Sequence, residues 1–269
     1  MSNTTLLILV AVLFAVLAFI YRFFTNPFFF ARVVRFVLRF RYKVVLDGFD
    51  EMMKTEPLLL MPNHPAYLDP ILLFEEIYAR GRKVSPMTDE KFFAIPAYRQ
   101  ILSLGDAVMV PDLMKHRSEA AVRQAANLVQ IAVKALEEGR SLVFYPSGHV
   151  TLDGKETLGA RRMAYETTSA INASPENSPL RRVRIFMLRT RGMETSRWSK
   201  SRKRVLDKKG HVKPEALPWA FAVPRPFRRR RVVMHFEDMT DQLLAWVRMY
   251  DKAEFNRQLE HWYNQGNDK

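Results

Sequence analysis

"PLLLMPNHPAYLDPILLFEEIYARG", residues 57–81, sets two apolar runs on either side of a short polar loop. The first run has no polar interruption, as expected of a strand buried on both faces. The second carries apolar residues at helical spacing and ends near Gly81, so it reads as a helix opening at Asp69. Downstream, the same alternation recurs. "DAVMV" (106–110), "SLVFYP" (141–146), "RVRIFMLR" (182–189) and "RRVVMHFE" (230–237) read as strands. "RSEAAVRQAANLVQIAVKALEEGR" (117–140) reads as a helix: Ala121, Leu128, Ile131, Ala132, Ala135 and Leu136 share one side and Gly139 ends it. "TDQLLAWVRMYDKAEFNRQLEHWYNQ" (240–265) reads as one or two helices, its aromatics at core spacing. Residues 172–179 and a basic, proline-rich stretch at 199–226 read as loops. The order predicts an α/β domain, a mostly parallel central sheet flanked by helices.

In such sheets chemistry collects beyond the carboxyl ends of strands. The loop after "PLLLM" offers Asn63, His64 and Asp69 there. An imidazole takes up a proton near neutral pH, and a carboxylate on its other nitrogen fixes the tautomer and raises basicity. By itself, His-x4-Asp is also compatible with a polar turn. The loop after "SLVFYP" offers Ser147, Gly148 and His149.

The 269-residue chain has no cysteine, which removes disulfides, thiolate nucleophiles and cysteine metal sites. The histidines have no metal-ligand spacing, and no metal is expected. The formal net charge of +14 points to an anionic partner. Thr4–Tyr21 carries no charge. As a helix it would rise roughly 27 Å, about one hydrocarbon core. Arg22, Arg32, Arg35, Arg39, Arg41 and Lys43 follow it, placing the bulk of the chain on the cytoplasmic side of a membrane (the inner membrane in a bacterium). A cleaved signal peptide is the rival; no Lys or Arg precedes the run and no clear A-x-A site follows it. Residues 1–26 are therefore read as a single-pass anchor, 27–45 as an amphipathic interfacial helix and 46–269 as the α/β domain. In the second segment Arg32, Arg35 and Arg39 share one side, while Phe29, Val33, Phe36, Val37 and Phe40 share the other. That is the pattern of a helix in the headgroup layer, or of a stripe packed on the domain. With such an anchor, basic clusters such as Arg228–Arg231 read as anionic-lipid contacts rather than nucleic-acid contacts.

Asn63-His64-x4-Asp69, then "EKFFAIPAYRQILSLGDAVMV" (90–110), then "EEGRSLVFYPSGHVT" (137–151) and "RIFMLRTRG" (184–192) resemble, in order and spacing, the motifs of the glycerolipid acyltransferase family. The resemblance implies a fatty acyl transfer from an acyl thioester, acyl-CoA or acyl carrier protein, to a hydroxyl of a lysophospholipid or related acceptor. His64 would be the general base and Asp69 its orienting acid, with no cofactor beyond the thioester co-substrate. The absence of cysteine and of a Gly-x-Ser-x-Gly elbow agrees with direct transfer without an acyl-enzyme. The chain departs from the family where acceptor contacts are expected. Ser147 replaces the third motif's glutamate, His149 and Val150 its Thr-Arg, and Val110 and Pro111 the second motif's Asp-Arg. Main-chain amides around Gly148 are candidates for a phosphate or oxyanion. Arg161, Arg162, Arg189 and Arg191 are nearby cations, and Arg189 and Arg191 are the candidates for an anionic headgroup. Two other readings stay open: a membrane-anchored hydrolase using the same pair on water, and a catalytically inactive lipid-binding scaffold.

Overall fold

The computed structural model describes residues 3–95, 99, 102–103, 105–111, 119, 126–151, 154–194, 196, 198–199 and 229–266. Among the described residues, seven strands form one sheet: β1 (Tyr42–Asp47), β2 (Leu58–Pro62), β3 (Ser85–Asp89), β4 (Val108–Val110), β5 (Leu142–Val143), β6 (Arg184–Arg191) and β7 (Arg230–Asp238). Their order is β1-β7-β6-β2-β5-β3-β4. Every pairing is parallel except β6–β7. β1 and β7 thus run against the other five, and the mostly parallel sheet expected from the sequence is what forms.

β2 occupies the centre, which explains its unbroken apolar sequence. Leu58 and Leu60 pack into one core with Phe186 and Leu188 of β6. Leu59 and Met61 pack into another with Ile185 and Met187. Helices α2 (Pro27–Arg39), α3 (Phe49–Met53) and α4 (Asp69–Ala79) cover the first face. Helices α5 (Leu128–Glu137), α6 (Met163–Ala173), α7 (Thr240–Met249) and α8 (Lys252–Asn264) cover the second. The carboxyl-terminal segment is two helices. Only part of the helix read over 117–140 falls among the described residues, and all but Ser199 of the basic stretch at 199–226 lies outside them.

Helix α1 (Asn3–Thr25) contains Thr4–Thr25, whose most apolar 18 residues have mean hydropathy 2.7 and are not buried inside the protein. It is long and apolar enough to cross a membrane. Asn26 turns the chain into α2: its Oδ1 accepts the Phe29 amide at 3.0 Å, and Pro27 sits at the first helical position where no amide partner is needed.

The basic side of α2 faces the domain. Arg35 Nε lies 3.0 Å from Glu76 Oε2 and 3.8 Å from Glu75 Oε2 of α4. Arg39 also reaches Glu76, and Arg32 donates to the Ala79 carbonyl at 3.2 Å. The physical reason is on α4: Glu75 and Glu76 are fully buried, and a buried carboxylate needs cations or protonation. Phe36, Val37 and Phe40 are left outward, Phe36 being 66% exposed. The helix ends at Arg39, and residues 42–47 form the edge strand β1. β3, with Pro86 and three polar residues, and α6, with three β-branched residues and a serine, gave no pattern in the sequence.

Candidate active site

β2 delivers the chain to the site and Asn63 fixes its exit. The Asn63 Oδ1 accepts the Thr190 amide at 2.7 Å and its Nδ2 donates to the Thr190 carbonyl at 3.2 Å. The side chain imitates one further ladder rung between β2 and β6, so Asn63 holds the loop by its main-chain neighbours. The loop then folds back at the start of α4. Asp69 is the first residue of that helix, where a negative charge meets the positive end of the peptide dipoles, and Pro70 follows at a position that needs no donor.

This brings His64 Nδ1 to 3.0 Å from Asp69 Oδ1 and 3.2 Å from Oδ2. Asp69 is 1% exposed, while the imidazole keeps partial access to solvent. Burial pushes the Asp69 carboxyl above its ordinary range; the His64 imidazole and the Ala66 and Asp69 amides pull it back. With Asp69 ionised, Nδ1–H donates to it and Nε2 carries the lone pair. The Tyr145 ring lies against the imidazole, with centroids 4.5 Å apart.

The loop after β5 closes the other side. Ser147 is buried and donates to the His149 carbonyl at 3.1 Å, and His149 Nδ1 donates to the Ser147 carbonyl at 2.7 Å. Gly148 has φ of 66°, a left-handed turn that favours glycine, and its amide donates to the Tyr145 carbonyl at 2.9 Å. That amide therefore serves the turn, where the sequence suggested a phosphate or oxyanion donor. Ser147, Gly148 and His149 form a tight turn whose continuation touches the His64 loop: the Thr151 amide donates to the His64 carbonyl at 2.9 Å.

Arg189 and Arg191 project from the carboxyl end of β6 onto α8. Arg189 Nη1 donates to the Trp262 carbonyl at 2.8 Å and its guanidinium stacks over the Trp262 ring at 4.7 Å. Arg191 donates to the Tyr263 carbonyl at 3.2 Å and to the Gln265 carbonyl. Their donors, counted for a headgroup from the sequence, have main-chain partners at the negative end of a helix. Burial lowers both from the usual arginine range. Arg161 and Arg162 are exposed at the start of α6. Val110 and Pro111 lie at the end of edge strand β4.

Sequence reasoning missed Glu156. It is 1% exposed, and its Oε2 accepts the His64 amide at 3.0 Å. Nothing in "LDGKETLG" (152–159) has the periodicity of a buried element, so its burial has no sequence signal.

The Acyltransferase family model matches residues 43–174, the span that holds both loops. Over 132 residues the chain is 24% identical to the 1-acyl-sn-glycerol-3-phosphate acyltransferase of Borreliella burgdorferi, covering 48% of this chain. The match spans about half of that relative's length, 49%. Among solved structures, the chain is similar to PlsC, the 1-acyl-sn-glycerophosphate acyltransferase of Thermotoga maritima. The identity is 14%, the TM-score 0.49, and the coverage 95% of this chain and 91% of that one. Within the matched segment, residues 43–174, lie His64, Asp69, Ser147 and Glu156, whereas Arg189, Arg191 and α8 lie beyond it.

Proposed function

We propose that this protein transfers a fatty acyl chain from an acyl thioester to a hydroxyl of a lysophospholipid or related glycerolipid at a membrane surface. The observation that carries the reading is the His64–Asp69 pair, hydrogen-bonded at 3.0 Å and partly open to solvent beyond the central strand of the sheet. His64 Nε2 takes the proton of the acceptor hydroxyl while Asp69 holds Nδ1–H and stabilises the imidazolium. The hydroxyl oxygen bonds to the thioester carbonyl carbon. When the tetrahedral intermediate collapses, the C–S bond breaks and the departing thiolate takes the proton from the imidazolium. The donor is acyl-CoA or acyl carrier protein, and no other cofactor is needed.

In this reading α1 anchors the chain in the bilayer and the basic flank keeps the domain on the cytoplasmic side. Phe36, Val37 and Phe40, exposed on α2, enter the acyl–headgroup boundary, so that an amphiphilic acceptor reaches His64 without crossing water. The name of the Borreliella burgdorferi relative, a 1-acyl-sn-glycerol-3-phosphate acyltransferase, makes 1-acyl-sn-glycerol-3-phosphate the first acceptor to try.

The experiment is acyl transfer by the full chain in lipid vesicles, with labelled acyl thioester and a panel of lysolipids. Labelled diacyl lipid that requires lysolipid, and disappears in His64→Ala, is the expected result. Labelled free fatty acid at equal rates with and without lysolipid would replace the reading with the hydrolase.

A further inference from the structure

The buried carboxylate of Glu156 sits under the His64 loop for reasons that can be traced residue by residue. On one side of α8, Asn256, Glu260 and Asn264 recur at helical spacing and bind the main chain of residues 156–161. Asn264 makes a two-point clamp on Glu156: its Oδ1 accepts the Glu156 amide at 2.8 Å and its Nδ2 donates to the Glu156 carbonyl at 2.9 Å. Glu260 accepts the amides of Leu158 and Gly159, and Asn256 donates to the carbonyls of Gly159 and Arg161, each at 2.8 Å. The segment is held without secondary structure of its own. Its one buried carboxylate is directed at the main chain of the residue proposed as the base. Glu156 Oε1 has no hydrogen-bond partner among the described residues.

We infer that Glu156 is a positioning residue for His64: clamped through α8, its carboxylate fixes the His64 main chain and sets a second negative charge near the His64–Asp69 pair. This rests on the acyl-transfer reading and deepens it. Where the family resemblance implies an acidic side chain, position 147 is a serine, and the carboxylate beside the His64 loop comes from nine residues further on. The charge matters because proton abstraction makes His64 an imidazolium, and a nearby anion stabilises that form. The ionisable groups facing Glu156 are His64 and Asp69 from the first loop, Tyr145 from the end of β5 and Tyr263 from α8. Burial raises the Glu156 carboxyl to about 7, against the Ser147 hydroxyl, the His64 amide and the His64 charge, which lower it. Its support for the imidazolium is therefore absent in acid and gained as pH rises through neutrality.

The test compares the full-length wild type with Glu156→Gln, which keeps an oxygen for the His64 amide but has no charge, and with Asn264→Ala, which releases the clamp. The ratio of wild-type to Glu156→Gln kcat is expected to be near one at acid pH. It should climb through neutrality to about 10–100-fold, with acceptor KM little changed. A ratio that stays flat across the range, which a purely structural role would give, overturns the inference. Two readouts need no turnover. A carboxylic-acid infrared band that titrates near neutrality should vanish in Glu156→Gln, and hydrogen exchange at the His64 amide should quicken in Asn264→Ala. Both present without acyl transfer to any acceptor leave the positioning role standing and sink the acyl-transfer reading. Both absent while acyl transfer proceeds sink the positioning role alone. If Glu156→Gln does not fold, unchanged His64 exchange and unchanged kcat in Asn264→Ala overturn the inference.

Discussion

His64 and Asp69 form a pair in which the carboxylate is sealed and the imidazole keeps partial access to solvent. The burial of Asp69 costs free energy, offset by its place in the first turn of α4 and its bond to the imidazole. The pair's chemistry depends on which nitrogen carries the proton. Asp69→Asn keeps the size but loses the charge that holds Nδ1–H and steadies the imidazolium. The variant is expected to fold and bind lipid as wild type does while losing about 10²–10⁴-fold in kcat. Rates in vesicles against thermal unfolding of the same preparations check this. A variant with near-normal kcat would remove Asp69 from the mechanism.

At the scale of elements, α2 and α4 are joined by a buried ionic cluster. Glu76 meets Arg35, Arg39 and Arg80 at once. Glu75 lies beside it, and neither of its carboxyl oxygens has a hydrogen-bond partner among the described residues. Burial first, then the neighbouring Glu76 charge, pushes Glu75 up to about 9 from an ordinary 4.5, despite Arg39, Arg35 and Arg80. A carboxyl raised in the folded state contributes stability that is complete below the unfolded value and is lost as pH rises toward the folded one. Glu75→Gln is therefore expected to raise stability by about 1–3 kcal/mol near pH ~7.5 and to make no difference near pH ~4. Denaturation of the two proteins at both pH values decides it; a gain of equal size at both would mean that Glu75 does not titrate in this window. The cluster also explains why α2 turns Arg35 and Arg39 toward Glu76 and leaves Phe36 outward, while Phe30 packs into the core. The sequence pattern of two opposed faces was legible; which face met the domain was not, because the deciding glutamates lie on another helix.

Across the whole molecule, the site is held by a relay from sheet to last helix to loop. Arg189 and Arg191 secure the carbonyl end of α8, α8 clamps residues 156–161, and Glu156 meets the His64 amide. Arg189→Ala removes a charged donor from the Trp262 carbonyl and a cation from the Trp262 ring. The expected loss is about 1–3 kcal/mol of stability, with kcat falling more than acceptor affinity. Chemical unfolding and steady-state kinetics in the same detergent test this. Unchanged stability with a raised KM for anionic acceptors alone would return Arg189 to direct headgroup contact. The relay's contacts join residues between 72 and 108 positions apart, so no local pattern announces it.

The alternation of apolar runs and amphipathic stretches, the uncharged Thr4–Tyr21 run and the Asn63-His64-x4-Asp69 spacing are properties of neighbours in the chain. They determined the layered α/β fold, the helix fit to cross a membrane and the location of the His64–Asp69 pair. Burial, partner choice and charge state are set by groups remote in sequence and close in space. The tertiary structure alone decided that α2's cations face Glu75 and Glu76, that Asn63, Gly148, Arg189 and Arg191 serve main-chain partners, and that Glu156 reaches His64. Desolvation and hydrogen bonding act through distance, and only the folded chain fixes those distances.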